Sequence, residues 1–383
     1  MLLLSDLGFG GAERQTVQLA HLLSDRYDVV LGYLKADSNL VKGDNPTARL
    51  IRPERLKALI CFDVRRRIDR AAIGRLTQAI ATHRVEAVLC ANTFPLLYAQ
   101  LARWRLRSAV EVVEIYHTTL IASGSSRLKL LAFRPLFWCA SQLVFVCEAQ
   151  RRHCVRRALW SPRVSVIHNG VDTRHFAPST LPSATDARRP FGFTRDDRVV
   201  GLCAVFRPEK AHADLLAAVA ALKSRGIRWK VMLIGDGPTR PGIEAAIERL
   251  GLTGDVRLTG FLGDVRAAVA ACDVIALVST SIETFSIAAL EAMALGKPML
   301  MSDIGGAAEL VEPGVNGELF PAGDVPALAQ RLQKFGDRER CAAMGAAARR
   351  RIERQFSQEA MRERYVEVID DLLAARGPAP RRS

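Results

Sequence analysis

The stretch SIETFSIAALEAMALGKPML, residues 281–300, places two glutamates, Glu283 and Glu291, eight positions apart. It follows the apolar run VIALVST (274–280), which is predicted as a buried strand, and it continues into an apolar run that ends at Gly296. A glycine at that point is typical of a helix end. Glu283 is therefore predicted in a loop above the sheet edge and Glu291 inside the following helix, so the stretch reads as one strand, loop and helix unit of a parallel sheet.

The same alternation of short apolar runs and longer amphipathic runs covers most of the chain, and it falls into two series of strands. The first comprises residues 2–5, 27–34, 87–91, 109–117, 142–147 and 164–170, and the second residues 199–206, 229–237, 256–261, 274–280 and 297–303. This pattern predicts an α/β protein with two Rossmann-like parallel-sheet domains. We expect an N-terminal domain over 1–178, a linker over 179–197 and a C-terminal domain over 198–356, with an amphipathic helix over 357–375 that packs back on the first domain.

Composition narrows the classes of function. The chain has 383 residues, a formal charge of +14 and a pI near 9.8, which favours anionic partners such as phosphorylated small molecules, lipid headgroups or nucleic acid. Eight cysteines occur without a CxxC pair and are expected to be buried free thiols in a reducing compartment. No metal-ligand spacing, secretory pattern or membrane-spanning run is found, so we expect no metal or other cofactor and a cytoplasmic or peripheral membrane protein.

Two loops that follow predicted strands carry residues suited to binding anions. Gly10 and Gly11 precede a predicted helix, where backbone amides can face an anion, although a turn that needs positive φ would use the same residues. Arg207 and Lys210, in VFRPEK, come between a strand and a helix and could neutralise a diphosphate, or could belong to a basic surface loop.

The opening stretch offers a third site of this kind. The amides around Phe285, Ser286 and Ile287 are expected at a helix start and could hold a diphosphate, while Glu283 accepts hydrogen bonds from sugar hydroxyls and Glu291 reaches ribose hydroxyls. The residues alone leave a structural alternative open, in which Glu291 is an exposed helical side chain and Glu283 a partner of the helix dipole.

The segment ETFSIAALEAMALGKPMLMSDIGGAAELVEPGVNGELF resembles the E-x7-E signature and the following Gly-Gly segment of the retaining family 4 glycosyltransferases, which have the two-domain GT-B fold. The resemblance extends over nearly the whole chain. GFGGAERQ is similar to the family's acceptor-side glycine loop, IYHTT to its N-domain histidine, VIHNGVDTRHF to its interdomain motif and LIGDGP to its second-domain strand end.

This resemblance implies a role for each matching residue. Glu283 would contact the donor sugar, Glu291 the ribose, Arg207 and Lys210 the diphosphate, and His117 the transferred sugar. Gly235, in LIGDGP, would lie on the donor side, and Gly10 and Gly11 on the acceptor side.

Two positions depart from the family pattern. The usual arginine falls at Val205, with Arg207 two places later, so the role of Arg207 depends on the reach of its side chain. The small residue after Phe285, which is often glycine in the family, is Ser286.

The resemblance implies a retaining glycosyltransferase of hexosyltransferase type that moves a sugar from a UDP- or GDP-sugar to a glycan or lipid-linked acceptor in bacterial surface polysaccharide or lipopolysaccharide synthesis. Peripheral contact with an anionic membrane would suit the mixed basic and apolar runs at 127–138 and 148–159, which ordinary amphipathic helices would explain equally well. A GT-B sugar phosphorylase or a sugar-nucleotide epimerase is the alternative enzyme. A nucleic-acid-binding protein is disfavoured because aromatic residues make up only 6% of the chain and no recognition motif is found.

Overall fold

A computed structural model describes residues 1–8, 10–36, 47–107, 110–117, 133–281 and 283–375. The chain divides into two compact units. Unit 1 comprises Met1–Asn169 together with the segment from Glu359 onward, and unit 2 comprises Gly170–Gln358. Each unit is built around its own parallel sheet.

The sheet of unit 1 has seven strands in the order β3-β2-β1-β4-β5-β6-β7, all paired in parallel. The inner strands are largely apolar on both faces because helices cover both sides of the sheet, and the buried Glu114 of β5 is a charged exception. The strands are β1 (Leu2–Leu4), β2 (Val30–Tyr33), β3 (Ala58–Cys61), β4 (Ala87–Ala91), β5 (Glu111–Tyr116), β6 (Gln142–Phe145) and β7 (Val164–Val166).

The sheet of unit 2 has six parallel strands in the order β10-β9-β8-β11-β12-β13. They are β8 (Val199–Cys203), β9 (Lys230–Ile234), β10 (Val256–Leu258), β11 (Val274–Leu277), β12 (Met299–Ser302) and β13 (Gly317–Phe320). In both sheets the strand order reverses beside the first strand of the unit, which creates the switch point where ligands of such sheets bind. The structure thus confirms the predicted pair of Rossmann-like sheets.

Helices connect the strands. They are α1 (Gly11–Leu23), α2 (Arg70–Thr82), α3 (Thr93–Leu106), α4 (Glu148–Val155), α5 (Ala184–Arg188), α6 (His212–Ser224), α7 (Arg240–Arg249), α8 (Arg266–Ala271), α9 (Ile287–Ala294), α10 (Ala307–Leu310), α11 (Val325–Gln333), α12 (Arg338–Gln355) and α13 (Gln358–Ala374). Residues 133–138 are also helical. Short 3-10 turns occupy Ala48–Leu50, Pro53–Arg55, Pro178–Thr180, Arg189–Phe191, Pro208–Lys210 and Lys334–Gly336.

Side-chain caps explain where several helices begin. The Asp69 carboxylate accepts hydrogen bonds from the amides of Ala71 and Ala72, 3.0 and 3.1 Å away, and Asp324 caps α11 through the amide of Ala327 at 2.9 Å. Such caps satisfy amides that have no partner inside the helix, and each stabilises its helix by about 1 kcal/mol.

Two segments outside the sheets are tied to the unit to which they belong. The C-terminal helix α13 contacts α1, since Gln15 donates to the Met361 sulfur at 3.7 Å, and it contacts the residues just after α1, since Asp370 accepts hydrogen bonds from Arg26 and Tyr27, each at 2.7 Å. In the segment 179–197, the buried Arg188 pairs with Asp273 at 2.7 Å and donates to the carbonyl of Ala271 at 3.0 Å. This segment is therefore anchored to unit 2 by a largely buried charge pair.

All eight cysteines are free thiols. The expectation that they are buried is wrong for Cys139, which is exposed, and for Cys61 and Cys203, which are half-buried. Among the described residues, every helix is too short or too polar to cross a bilayer.

Candidate active site

The carboxyl edge of the unit 2 sheet gathers most of the predicted donor residues. Strand β8 lies between β9 and β11, so the loops that leave β8 and β11 diverge at the switch point of the sheet. The first loop carries Arg207 and Lys210, and the second carries Glu283. Topology therefore places the two predicted cations and the predicted carboxylate at one edge.

An ion pair joins these two loops. The Lys210 ammonium lies 2.7 Å from Oε2 of Glu283, and both side chains are largely buried, with 23% and 12% of their surface exposed. The same carboxylate oxygen accepts a hydrogen bond from the hydroxyl of Ser279 at 3.0 Å. The backbones are tied as well, because the amide of Thr280 donates to the carbonyl of Glu209 at 3.0 Å. Ser279 is a site residue that the sequence analysis missed.

The glycine pair that follows β12 shapes the loop of Glu283. Gly305 has a φ of +57°, and a Cβ atom there would lie 1.6 Å from the carbonyl oxygen of Glu283. Next to it, the amide of Gly306 donates to the carbonyl of Thr284 at 2.7 Å. Only glycine allows this approach, so these residues hold the Glu283 loop against the end of β12. The Gly-Gly segment in the sequence was the available signal for this contact.

Helix α9 begins directly after this loop. Ser286 is its N-cap, and its hydroxyl accepts from the amide of Ala289 at 3.3 Å. The amides of Ile287 and Ala288, in the first turn, make no hydrogen bond within the described part of the chain. Two free amides and the positive end of the helix dipole can bind an oxyanion.

The three residues predicted to bind through their amides thus have different roles. Ile287 offers a free amide, and Ser286 uses its side chain to cap the helix. Phe285 is buried, and its ring packs on that of Phe356 with 5.4 Å between centroids, which anchors the chain where α9 starts.

Glu291 lies inside α9 and is only 5% exposed. The structural alternative of an exposed helical glutamate is therefore wrong. A carboxylate is rarely buried without hydrogen-bonding partners, since removing it from water is costly. The role of Glu291 toward ribose hydroxyls stays a prediction.

Arg207 and Gly235 border the same edge. The Arg207 side chain is exposed and has no hydrogen-bond or ion-pair partner among the described residues. The amide of Arg207 donates to the carbonyl of Val205 at 2.8 Å. A tight turn therefore separates Arg207 from position 205, where the family usually has its arginine. Gly235 has a φ of +138°, and a Cβ atom there would lie 2.2 Å from the carbonyl oxygen of Ala204. The backbone itself thus requires glycine at 235.

In unit 1, the glycine loop after β1 leads into α1. Gly10 is the N-cap with a φ of −145°, so it does not need the left-handed region, and Gly11 is the first helical residue. A Cβ atom on Gly10 would lie 2.2 Å from Oε2 of Glu13, so this carboxylate folds back over the glycine. Burial raises the pKa of Glu13, and the charge of Asp6 adds to the rise.

His117 follows β5 and lies beside the end of β4. Its amide donates to Oδ1 of Asn92 at 3.1 Å, which fixes the backbone at this point, and Asn92 was not among the predicted residues. Burial lowers the pKa of His117 to about 4. The imidazole is therefore neutral at pH 7 and can exchange hydrogen bonds with a hydroxyl group.

The predicted residues form two groups, each at the carboxyl edge of one sheet. Only Lys210 and Glu283 of the predicted set contact each other directly through their side chains among the contacts of the described residues. That part of the chain contains no group of three or more His, Cys, Asp or Glu residues arranged to hold a metal ion.

Comparison with known proteins places the chain in the class of glycosyltransferases. The family described as Glycosyltransferase Family 4 matches residues 9–175, and the family described as Glycosyl transferases group 1 matches residues 183–351. In the structure of HepE from Anabaena, solved in complex with UDP, the fold agrees with a TM-score of 0.83 at 23% identity, over 97% of this chain and 99% of that one. The chain belongs to glycosyltransferase family 4 and has the GT-B fold.

Two curated relatives show the range of this family. N-acetyl-alpha-D-glucosaminyl L-malate synthase of Bacillus anthracis is 28% identical over 55% of this chain and 54% of its own length. D-inositol 3-phosphate glycosyltransferase of Mycolicibacterium smegmatis is 31% identical over 62% of this chain and 50% of its own length. The chain spans only about half the length of each, so their substrates describe those proteins.

Proposed function

We propose that this protein is a retaining glycosyltransferase that moves a hexose from a UDP- or GDP-sugar to a glycan or lipid-linked acceptor in bacterial surface polysaccharide synthesis. The observation that carries the proposal is the Lys210–Glu283 ion pair, held at the switch point of the unit 2 sheet beside the free amides of α9. Membership of family 4 and the UDP in the HepE structure support a nucleotide-sugar donor.

The positive groups of unit 2 suit the donor diphosphate. Lys210 would stay within reach of Glu283 while its remaining N–H groups contact a phosphate oxygen, and the exposed Arg207 would turn toward the same group. The amides of Ile287 and Ala288 would take a third oxygen. Together they stabilise the negative charge that grows on the diphosphate as the glycosidic bond breaks. Because the chain itself supplies these charges, we propose that no metal ion is needed.

Glu283 would hold the donor sugar. Its Oε2 is already engaged by Lys210 and Ser279, so Oε1 is the oxygen offered to sugar hydroxyls. Glu291 would accept hydrogen bonds from the ribose hydroxyls. Retention would follow if an oxygen of the departing diphosphate removes the proton of the acceptor hydroxyl on the same face, with an oxocarbenium-like transition state. The paired carboxylates of retaining hydrolases, about 5–5.5 Å apart, are not part of this scheme.

The acceptor would bind at the carboxyl edge of unit 1. Neutral His117 would contact the transferred sugar, and the Gly10–Gly11 loop would contact the acceptor. Since the carboxylate of Glu13 covers Gly10, hydroxyl groups fit this loop better than a second phosphate. An acceptor anchored in an anionic membrane is part of the same proposal.

The experiment that tests the proposal is a panel of UDP-, GDP- and ADP-sugars scored by protection against thermal unfolding. A donor at 100 times its Kd stabilises the folded state by about 2.7 kcal/mol. We expect sugar nucleotides with one of the three bases to protect the wild type strongly. Glu291→Ala should lose that protection, whereas Glu367→Ala, on the exposed side of α13, should keep it. Protection by no member of the panel would overturn the proposal.

Product analysis then separates the reactions. Proton NMR of the product should show the anomeric configuration of the donor retained in a new glycosidic bond. A reaction that requires orthophosphate and yields a sugar phosphate would mean a phosphorylase, and release of a free epimer would mean an epimerase.

A further inference from the structure

Three of the four tryptophans of the chain are exposed, and all three lie in unit 1. Trp104, Trp138 and Trp160 are 50%, 44% and 47% exposed, whereas Trp229 is 2% exposed. Tryptophan has a large apolar surface and is normally well buried in a protein that works free in water. Exposure of three at once therefore points to a partner that covers them.

Contacts of these side chains and of their neighbours in sequence connect them into one surface. The rings of Trp138 and Trp160 lie 6.3 Å apart between centroids, and the indole N–H of Trp138 donates to the carbonyl of Ala158 at 3.4 Å. Arg103, next to Trp104 in α3, donates to the carbonyl of Cys139, next to Trp138, at 2.9 Å. We call this the Trp–Arg surface, and it comprises the end of α3 (103–107), the segment 134–139 and the residues 152–160.

The Trp–Arg surface lies at the amino edge of the unit 1 sheet. Helix α3 starts at the carboxyl end of β4 and runs back, so its last turn with Trp104 lies at the opposite edge. Trp138 and Trp160 come shortly before the first residues of β6 and β7. His117 is at the other end of β5, about 20 Å away at a rise of 3.3 Å per residue. The surface is therefore separate from the predicted acceptor loop.

Arginine dominates the charge of this region. The segments 103–107, 134–139 and 152–160 contain seven arginines and no carboxylate, and of these arginines Arg152 lies 3.8 Å from Glu148. Two carboxylates, Glu86 and Glu111, precede or begin β4 and β5 on the same edge, so arginines remain in excess there. Exposed arginines around the tryptophans include Arg105, Arg107, Arg152, Arg156 and Arg157.

We propose that the Trp–Arg surface docks the protein on an anionic lipid bilayer. Indole rings favour the boundary between headgroups and acyl chains, since one part of the ring is apolar and the other polar. The planar guanidinium groups around them bind lipid phosphates, and basic residues near a membrane are attracted by its negative surface potential. This inference deepens the membrane contact of the proposed function and assigns it to the edge of the sheet away from the acceptor loop.

The same chemistry fits nucleic acid less well. A base inserted between two rings needs about 7 Å between their planes, twice the usual contact distance. Trp138 and Trp160 have centroids only 6.3 Å apart, so these two rings already contact each other. They form one apolar face, extended by the exposed Val155, which suits insertion into a bilayer surface.

The experiment is flotation of the full chain, without donor or acceptor, on vesicles of phosphatidylcholine alone or with about 30 mol% phosphatidylglycerol. We expect binding only to the anionic vesicles, a blue shift of tryptophan emission on binding, and loss of binding at high salt. Arg105→Glu with Arg156→Glu should lower the vesicle affinity at least about tenfold, because each reversal replaces an attraction by a repulsion.

Matched variants distinguish loss of docking from the effect of a changed net charge and from loss of folding. Arg225→Glu with Arg228→Glu makes the same change in net charge on exposed residues of unit 2 and should bind vesicles like the wild type. Trp104→Ser, at an exposed position, should weaken binding while thermal unfolding stays unchanged. The proposal fails if the wild type does not float with anionic vesicles, if the two arginine pairs have equal effects, or if the chain binds poly(U) and not vesicles. Because no transfer reaction is measured, this result is independent of the glycosyltransferase assignment.

Discussion

Each unit has a helix that starts in a loop at the carboxyl edge of its sheet. In unit 1 this is α1, which follows β1, and in unit 2 it is α9, which follows β11. The two helix starts differ in the charged groups around them. At the start of α1, the carboxylate of Glu13 folds back over Gly10. At the start of α9, Ser286 caps one amide, and the amides of Ile287 and Ala288 have no partner within the described chain. The Lys210–Glu283 pair joins the loop before α9 to the neighbouring loop.

This difference shows that a glycine or small residue before a helix does not by itself define a phosphate site. The backbone at both starts can bind an anion, because every helix start exposes amides. The side chains decide what binds. A carboxylate already placed over the α1 start favours hydroxyl groups, whereas free amides with nearby cations at α9 favour a diphosphate.

The largest effect should come from breaking the unit 2 arrangement with Glu283→Gln. The amide keeps the size of the side chain but loses the charge that holds Lys210 and the sugar hydroxyls. We expect kcat to fall by about 10²–10³, the usual loss when one positioned electrostatic group is removed. Nucleotide binding should change little, as measured by titration with the nucleoside diphosphate.

A matched variant controls for loss of charge elsewhere in unit 2. Glu248→Gln, at an exposed position of α7, should leave kcat unchanged. Turnover like that of the wild type in Glu283→Gln would remove Glu283 from the site.

A smaller effect is expected in unit 1 from Glu13→Gln. If Glu13 accepts hydrogen bonds from acceptor hydroxyls, loss of its charge should raise the acceptor KM about tenfold, since a hydrogen bond to a charged group contributes about 1.5–3 kcal/mol. The donor KM should stay the same. Steady-state kinetics with each substrate varied in turn measure both values. A change confined to the donor KM would show that the two helix starts had been assigned the wrong way round.

The smallest effect should come from Ser286→Ala, which sharpens the comparison by removing the cap of α9. We expect unit 2 to lose about 1 kcal/mol in free energy of unfolding, measured by urea denaturation. Ser286→Gly should cost only a few tenths of a kcal/mol, since glycine is tolerated at the N-cap. If Ser286→Ala left the free energy of unfolding unchanged, the 3.3 Å bond from Ala289 to Ser286 would contribute nothing.

Much of the site could be predicted from the sequence because it depends on the order of strands, loops and helices along the chain. Strand, loop and helix follow one another in SIETFSIAALEAMALGKPML, and the carboxyl ends of parallel strands meet at one edge, so Glu283 and Lys210 could be assigned to the same edge. Ser279 and Asn92 could not be found in this way. Each acts through one hydrogen bond to another residue, and neither residue type is rare enough to mark a site.

Burial and long-range contact were decided by the tertiary structure. Glu291 could have been exposed or buried until α9 packed on the sheet, and Gly305 proved essential only because the end of β12 brings it against the carbonyl of Glu283. Trp104, Trp138 and Trp160 are 22 or more positions apart in sequence, so only the fold could bring the ends of their segments to one surface.

The sequence by itself determined the two parallel sheets, the family and the identity of the charged groups, because periodicity and spacing are local properties of the chain. The tertiary structure alone decided which of those charges are paired, which amides remain free and which apolar rings face the solvent. These depend on contacts between residues far apart in the chain, and their energies are set by burial and distance, which only the folded chain defines.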